Sequence, residues 1–129
     1  MPYTLYYFVN DRGEDEFEAW RVGLEKKVRA KLDQKLDSLE MNGDKLIPNT
    51  LTDTPVSDIK KLRVHGNVQL RPLLCKGPIH HEKEYTFLLG AKEKDSKFVP
   101  KNALELAEKN KNKVISEPDN RRKKRERIS

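Results

Sequence analysis

Lys60-Lys61-Leu62-Arg63-Val64-His65-Gly66-Asn67-Val68-Gln69-Leu70-Arg71 is the stretch from which the rest of the fold is read. Charged and apolar residues alternate on either side of a Gly-Asn turn, and successive strand side chains point to opposite faces. A three-residue loop, His65-Gly66-Asn67, sets Val64 opposite Val68 and Leu62 opposite Leu70, so four apolar residues share one face. Arg63 then opposes Gln69 and Lys61 opposes Arg71 on the other. A two-residue loop would put Arg63 beside Leu70 and Leu62 beside Arg71. Burying an unpaired charge costs several kcal/mol, whereas turn preferences differ by about one or less. The stretch therefore predicts a hairpin with Asn67 in a left-handed bulge position. Its outer face carries Lys61, Arg63, Gln69 and Arg71, with no acid to pair the three cations. Like charges across strands repel, and a phosphate would compensate them.

Working outward, Tyr3 to Val9 is aromatic and β-branched and reads as a first strand. Asp11 and Glu14 fit a capping box. Phe17, Trp20, Leu24, Val28, Leu32, Leu36 and Leu39 then recur at helical spacing, with Asn42-Gly43 as the stop. Gly23 leaves one long helix and a helical hairpin both open. Residues 44–58 hold two prolines and no periodicity and read as a loop. Ile59 to Val64, Val68 to Leu74 and Tyr85 to Ala91 read as strands. Pro100 opens a helix whose apolar face is Ala103, Leu104 and Ala107. The order β-α(α)-β-β-β-α predicts an α+β domain: a small antiparallel or mixed sheet with the helices packed on one face.

With 129 residues, the chain is one domain (1–116) with a basic tail (117–129) that is disordered without a partner. Charged residues make up 37% and mean hydropathy is -0.90, yet 35% hydrophobic residues suffice for one core. Residues 1–58 carry a net charge of −4, 59–101 +6, 102–120 −1 and 121–129 +5. Such asymmetry points to a polyanionic partner for the middle and the tail. No apolar run approaches the roughly 20 residues of a membrane span. The opening residues lack the basic and apolar regions of a secretory leader, so a cytoplasmic location is expected. The single cysteine, Cys75, excludes an internal disulfide and a cysteine-based zinc site.

Ile59-Lys60-Lys61-Leu62-Arg63, a turn, Leu70-Arg71 with apolar residues, Phe87 to Lys94, then Val99-Pro100 and an alanine-containing helix together resemble the RelE/ParE toxin superfamily, in particular its HigB-like, phage-associated branch. The resemblance covers roughly residues 1–115. It implies a RelE-like fold and the toxin of a type II toxin–antitoxin system: a ribosome-dependent, metal-independent mRNA endonuclease needing no cofactor. A small antitoxin, often of helix-turn-helix type, would neutralise it, and mRNA and the ribosome would be its other partners. In such toxins the RNA 2′-hydroxyl attacks the adjacent phosphate. By position, Arg63 and Arg71 would hold the phosphate, since guanidinium forks suit phosphate oxygens. Lys92 and Lys94 would add electrostatic stabilisation and proton transfer. Lys61, His65, Gln69, Lys97, Arg121, Arg122, Lys123 and Lys124 are the further RNA-binding candidates. Two departures stand out. Pro72 follows Arg71 and removes a ladder donor, and nothing after Pro100 is aromatic or histidine. Competing readings are a non-enzymatic nucleic-acid-binding protein and a ParE-like topoisomerase inhibitor.

His65 has a side chain suited to a general base, although a solvated turn histidine is the commoner case. His80 and His81 lie in a loop without metal-ligand spacing and read as surface residues. Cys75 reads as a small buried thiol.

Overall fold

The computed structural model describes residues 2–126. Strand β1 spans Thr4–Phe8, helix α1 Glu16–Val22 and helix α2 Lys26–Asn42, followed by a short 3-10 turn over Gly43–Leu46. The strands β2 (Leu51–Asp53), β3 (Lys60–Leu62), β4 (Gln69–Leu70), β5 (Leu73–Lys76), β6 (Glu84–Leu89), β7 (Lys92–Lys94) and β8 (Lys97–Val99) come next. Helix α3 covers Ala103–Ser116, and β9 covers Arg122–Lys124.

Helix α1 ends where Gly23 donates its N–H to the Ala19 carbonyl, so the helical stretch is two helices. Asp15, not Asp11, caps α1 by accepting from the Glu18 N–H at 3.0 Å. The Asn10 side chain takes over the preceding turn, accepting from the N–H groups of Arg12 and Glu14. Gly43 ends α2 with φ of +51°, and the Tyr3 ring lies where a Cβ would stand. Both facts reserve the position for glycine.

A six-stranded mixed sheet runs β2-β3-β5-β6-β1-β9, and a three-stranded sheet runs β4-β7-β8. The β1/β6 pair is parallel, while β9 is antiparallel to β1. The fold is α+β. The helices, however, cover both faces of the large sheet, not one. Helices α1 and α2 bury Phe17, Leu24, Leu32, Leu36 and Leu39 against Leu5, Tyr7, Leu62, Leu74, Tyr85 and Phe87. Helix α3 buries Ala103, Ala107 and Val114 against Phe8, Leu73, Cys75 and Leu88 on the opposite face. Alternation explains the split. Strand β6 is buried on both sides, and neighbouring residues along it serve different helical layers.

The sequence reading also needs correcting at its end. Residues 122–124 form β9, and the tail arginines Arg121, Arg122 and Arg125 are matched by acids elsewhere in the chain. Arg121 donates to Asp11 at 2.6 Å, and Arg125 reaches Glu40 at 2.6 Å and Asp37 at 3.0 Å. Arg122 pairs with Glu84 at 2.6 Å, with side chains only 5% and 3% exposed, and its guanidinium lies 3.9 Å from the centre of the Tyr6 ring. Enough specific pairing is present to order the segment against its conformational entropy. Residues 127–129 of the predicted tail lie outside the described residues.

Candidate nucleic-acid interface

The hairpin parity holds, but its register differs. Val64 and Leu70 exchange both backbone hydrogen bonds, at 3.1 and 3.0 Å, and Lys61 pairs with Leu73. The loop is therefore five residues, His65 to Gln69, and Asn67 has no positive φ. Three and five are both odd, so Leu62, Val64 and Leu70 still share the buried face. Val68 leaves the ladder and packs against the same core from the loop. Carried along this register, Arg63 lies opposite Arg71 and His65 opposite Gln69. Pro72 falls where the chain passes from the small sheet to the large one, and its carbonyl accepts from the Leu62 N–H.

Lys61, Arg63 and Arg71 thus sit on the α3 side of the sheet, next to Leu73. Thr52 joins them, because it pairs directly with Lys61 across β2 and β3. Arg71 is 2% exposed. Its Nη1 donates to the Leu70 carbonyl at 2.7 Å, and its Nη2 donates to Gln69 Oε1 at 3.2 Å. Burial, set against attraction to Glu93 and joined by repulsion from Arg63, holds its pKa below the usual arginine range. An arginine stays protonated at any working pH all the same.

The expected absence of an acid is overturned. Strand β7 pairs with β4 so that Glu93 lies opposite Gln69. Its carboxylate approaches Arg71 Nη2 at 3.6 Å and Lys61 Nζ at 3.9 Å. Phe98 of β8, across from Glu93, lies 5.8 Å beneath Lys61 Nζ. No carboxylate pairs with Arg63 among the described residues.

Three side-chain polar atoms that are buried among the described residues have no hydrogen-bond partner: Thr52 Oγ1, Arg63 Nε and Arg71 Nε. All three belong to this one face. An unmet buried donor costs about 1–3 kcal/mol, and buried polar groups normally find a partner. Two N–H donors and a hydroxyl thus lie buried on one cationic face without an acceptor.

The other candidates divide. Lys92 lies opposite Leu70 and Val99, and Lys94 opposite Lys97, so alternation sets Lys92, Lys94 and Lys97 on the face of β7–β8 away from Glu93. They do not converge with Arg63 and Arg71. The Lys-Glu-Lys run already carried that signal, since period two separates Glu93 from both lysines. Arg121 and Arg122 are committed to Asp11 and Glu84, whereas Lys123 and Lys124 remain exposed. Glu93, Thr52 and Phe98 escaped the sequence reading because their arrival depends on long-range strand pairing.

His65 and Gln69 are joined at 3.1 Å. His65 also borders a cleft of about 120 Å³ against α2, shared with Glu25, Lys27 and Lys31. His80 and His81 are exposed. Among the described residues no group of three or more His, Cys, Asp or Glu is placed to hold a metal ion, and no helix is long and apolar enough to cross a membrane. In comparisons with known proteins, the chain matches no protein-family model, no curated protein and no solved structure.

Proposed function

We propose that this chain binds the RNA backbone through the Arg63–Arg71 face and cleaves RNA there, as the toxin of a type II toxin–antitoxin pair acting on mRNA at the ribosome in the cytoplasm. The observation that carries the reading is the pair of guanidinium groups on one sheet face, each with an Nε–H lacking an acceptor. In the proposed complex Arg63, which has no carboxylate partner among the described residues, takes the phosphate directly. Arg71 is fixed by the Leu70 carbonyl and Gln69 and supplies a preorganised charge beneath it. Charge placed in advance where charge develops is the largest common source of rate enhancement. The resemblance to RelE/ParE toxins supports the same reading and adds a small antitoxin as partner.

The test is cleavage of mRNA by the purified chain with translating ribosomes, with and without Arg63→Ala. Cleavage that requires Arg63 supports the proposal, and cleavage indifferent to Arg63 removes the site assignment. A second reading, a nucleic-acid-binding protein without catalysis, is favoured by one observation: Lys92 and Lys94 lie on the far face of β7 from Glu93, away from the guanidinium groups. Wild-type protein that binds RNA but never cleaves it would select that reading.

A further inference from the structure

We propose that the open edge of strand β9 is a docking site for an extended acidic segment of a partner protein, which adds to the six-stranded sheet as a further strand. The proposal is independent of the nuclease reading and concerns the end of the sheet far from the arginine face. The ladder determines which backbone groups are free. The Val9 N–H donates to the Arg121 carbonyl at 2.8 Å, and the Arg125 N–H donates to the Leu5 carbonyl at 2.8 Å. With Tyr7 opposite Lys123, the hydrogen-bonded pairs of this antiparallel ladder are Val9 with Arg121, Tyr7 with Lys123 and Leu5 with Arg125. Alternation then turns the N–H and C=O of Arg122 and Lys124 away from β1. Neither residue has another backbone hydrogen bond among the described residues. Because β9 ends its sheet, two donors and two acceptors stand in ladder order along this edge. Such an edge is a template for another strand.

Charge selects the occupant. Arg121, Arg122 and Arg125 are matched by Asp11, Glu84 and Glu40. Lys123 and Lys124 are exposed, and the acid that feels Lys123 is Asp15, the cap of α1. Lys123 shares the face of Tyr7 and Lys124 that of Tyr6, so an incoming strand meets one ammonium on either face. Two adjacent acidic residues in that strand would answer both. A second copy pairing edge to edge would set cations against cations. A nucleic-acid backbone could use the ammonium groups, but its phosphates would face the two outward carbonyls, which only a donor satisfies. Beside the Lys124 end lies a cleft of about 280 Å³, lined by Tyr3, Leu5, Glu40, Met41, Lys124 and Arg125. Met41 is 64% exposed there and offers the incoming segment an apolar contact next to the ladder.

The probe is a fluorescein-labelled, acetylated peptide, Thr-Val-Glu-Glu-Val-Thr, with Thr-Val-Lys-Lys-Val-Thr as its control. Both are titrated against the full chain by anisotropy, and amide exchange is followed by NMR. The acidic peptide is expected to bind in preference to the control and to slow exchange at the Arg122 and Lys124 amides. The double change Lys123→Glu with Lys124→Glu should weaken it at least about tenfold. Lys124→Pro removes an outward N–H and no bond to β1, so it should melt like wild type and lose the peptide. Undiminished binding in either folded variant, or unchanged exchange at both amides, overturns the proposal. A concentration-dependent dimer abolished by Lys124→Pro overturns it in favour of a second copy. An RNA oligonucleotide held by Lys123 and Lys124 in place of the acidic peptide overturns it in favour of nucleic acid.

Discussion

Glu93 Oε2 stands 3.6 Å from Arg71 Nη2, while the other oxygen of the same carboxylate stands 3.9 Å from Lys61 Nζ. One acid thus balances two cations on a face whose third cation, Arg63, has no acidic partner among the described residues. The carboxylate occupies the region where a phosphate would compete for the same groups.

Replacing Glu93 by Gln should therefore tighten RNA binding. At about 4 Å in a surface environment, unit charges interact by roughly 4 kcal/mol before desolvation and screening, so a net gain of about 3–10-fold in affinity at low salt is expected. The gain should shrink as salt rises. Fluorescence anisotropy with a short RNA across a salt series measures it, and equal affinities at low salt would rule out Glu93 as a competitor.

The two arginines should separate in mutagenesis. Arg63→Ala removes a buried donor that has no acceptor, so it should not destabilise the fold and should stabilise it by up to about 1–3 kcal/mol, while slowing cleavage about 10²–10³-fold. Arg71→Ala strips donors from the Leu70 carbonyl and Gln69, and should cost about 1–3 kcal/mol of stability as well. Urea titration beside the cleavage assay separates the effects. Equal destabilisation by both changes would contradict their different burial.

At the other end of the molecule, Arg122→Ala should be far more damaging than Lys123→Ala or Lys124→Ala. The Arg122–Glu84 pair is almost fully enclosed, and leaving one buried charge alone costs about 3–5 kcal/mol. A double change, Arg122→Met with Glu84→Leu, should recover much of that loss. Chemical denaturation of the four variants provides the check.

Acid sensitivity should trace in part to Asp44. Partial burial disfavours its ionisation, but hydrogen bonds from Lys76 Nζ at 2.6 Å and from the Tyr85 hydroxyl outweigh it and hold the pKa below the ordinary value. A depressed folded pKa gives stability that is present above the unfolded value of about 3.9 and disappears as pH falls through the folded one. Asp44→Asn should flatten the stability profile below about pH 4. A profile with its wild-type slope would remove Asp44 as a contributor.

Burial pushes the Cys75 thiol up to about 12, and the thiolate is the reactive form. A thiol-specific reagent at neutral pH should leave the folded chain untouched and modify it once urea is added. Rapid labelling of the native protein would show that β5 opens locally.

The inward and outward sets of residues 60–71 were legible because alternation survives any odd loop length. The loop length itself was not legible, since Val68 could satisfy its apolar surface from the loop as well as from the ladder. Ala103 and Ala107 announced an apolar helical face but not which side of the sheet would take it. That choice was made by β6, whose two apolar faces demanded a helix each. The acid at the site was hidden for a similar reason: nothing local to Glu93 states that β7 will pair with β4. In the tail, a run of cations read as disordered without a partner because its acids, Asp11, Glu40 and Glu84, lie far away in sequence.

Strand β1 has its two neighbours in β6, where Thr4 pairs with Glu84, and in β9, where Phe8 pairs with Arg122. Strand β1 therefore depends on partners about 80 and 115 residues further along the chain, and the loops that bring them to it must close before any ladder hydrogen bond rewards them. Folding should be slow and all-or-none, and fragments ending before residue 84 should lack this part of the sheet altogether.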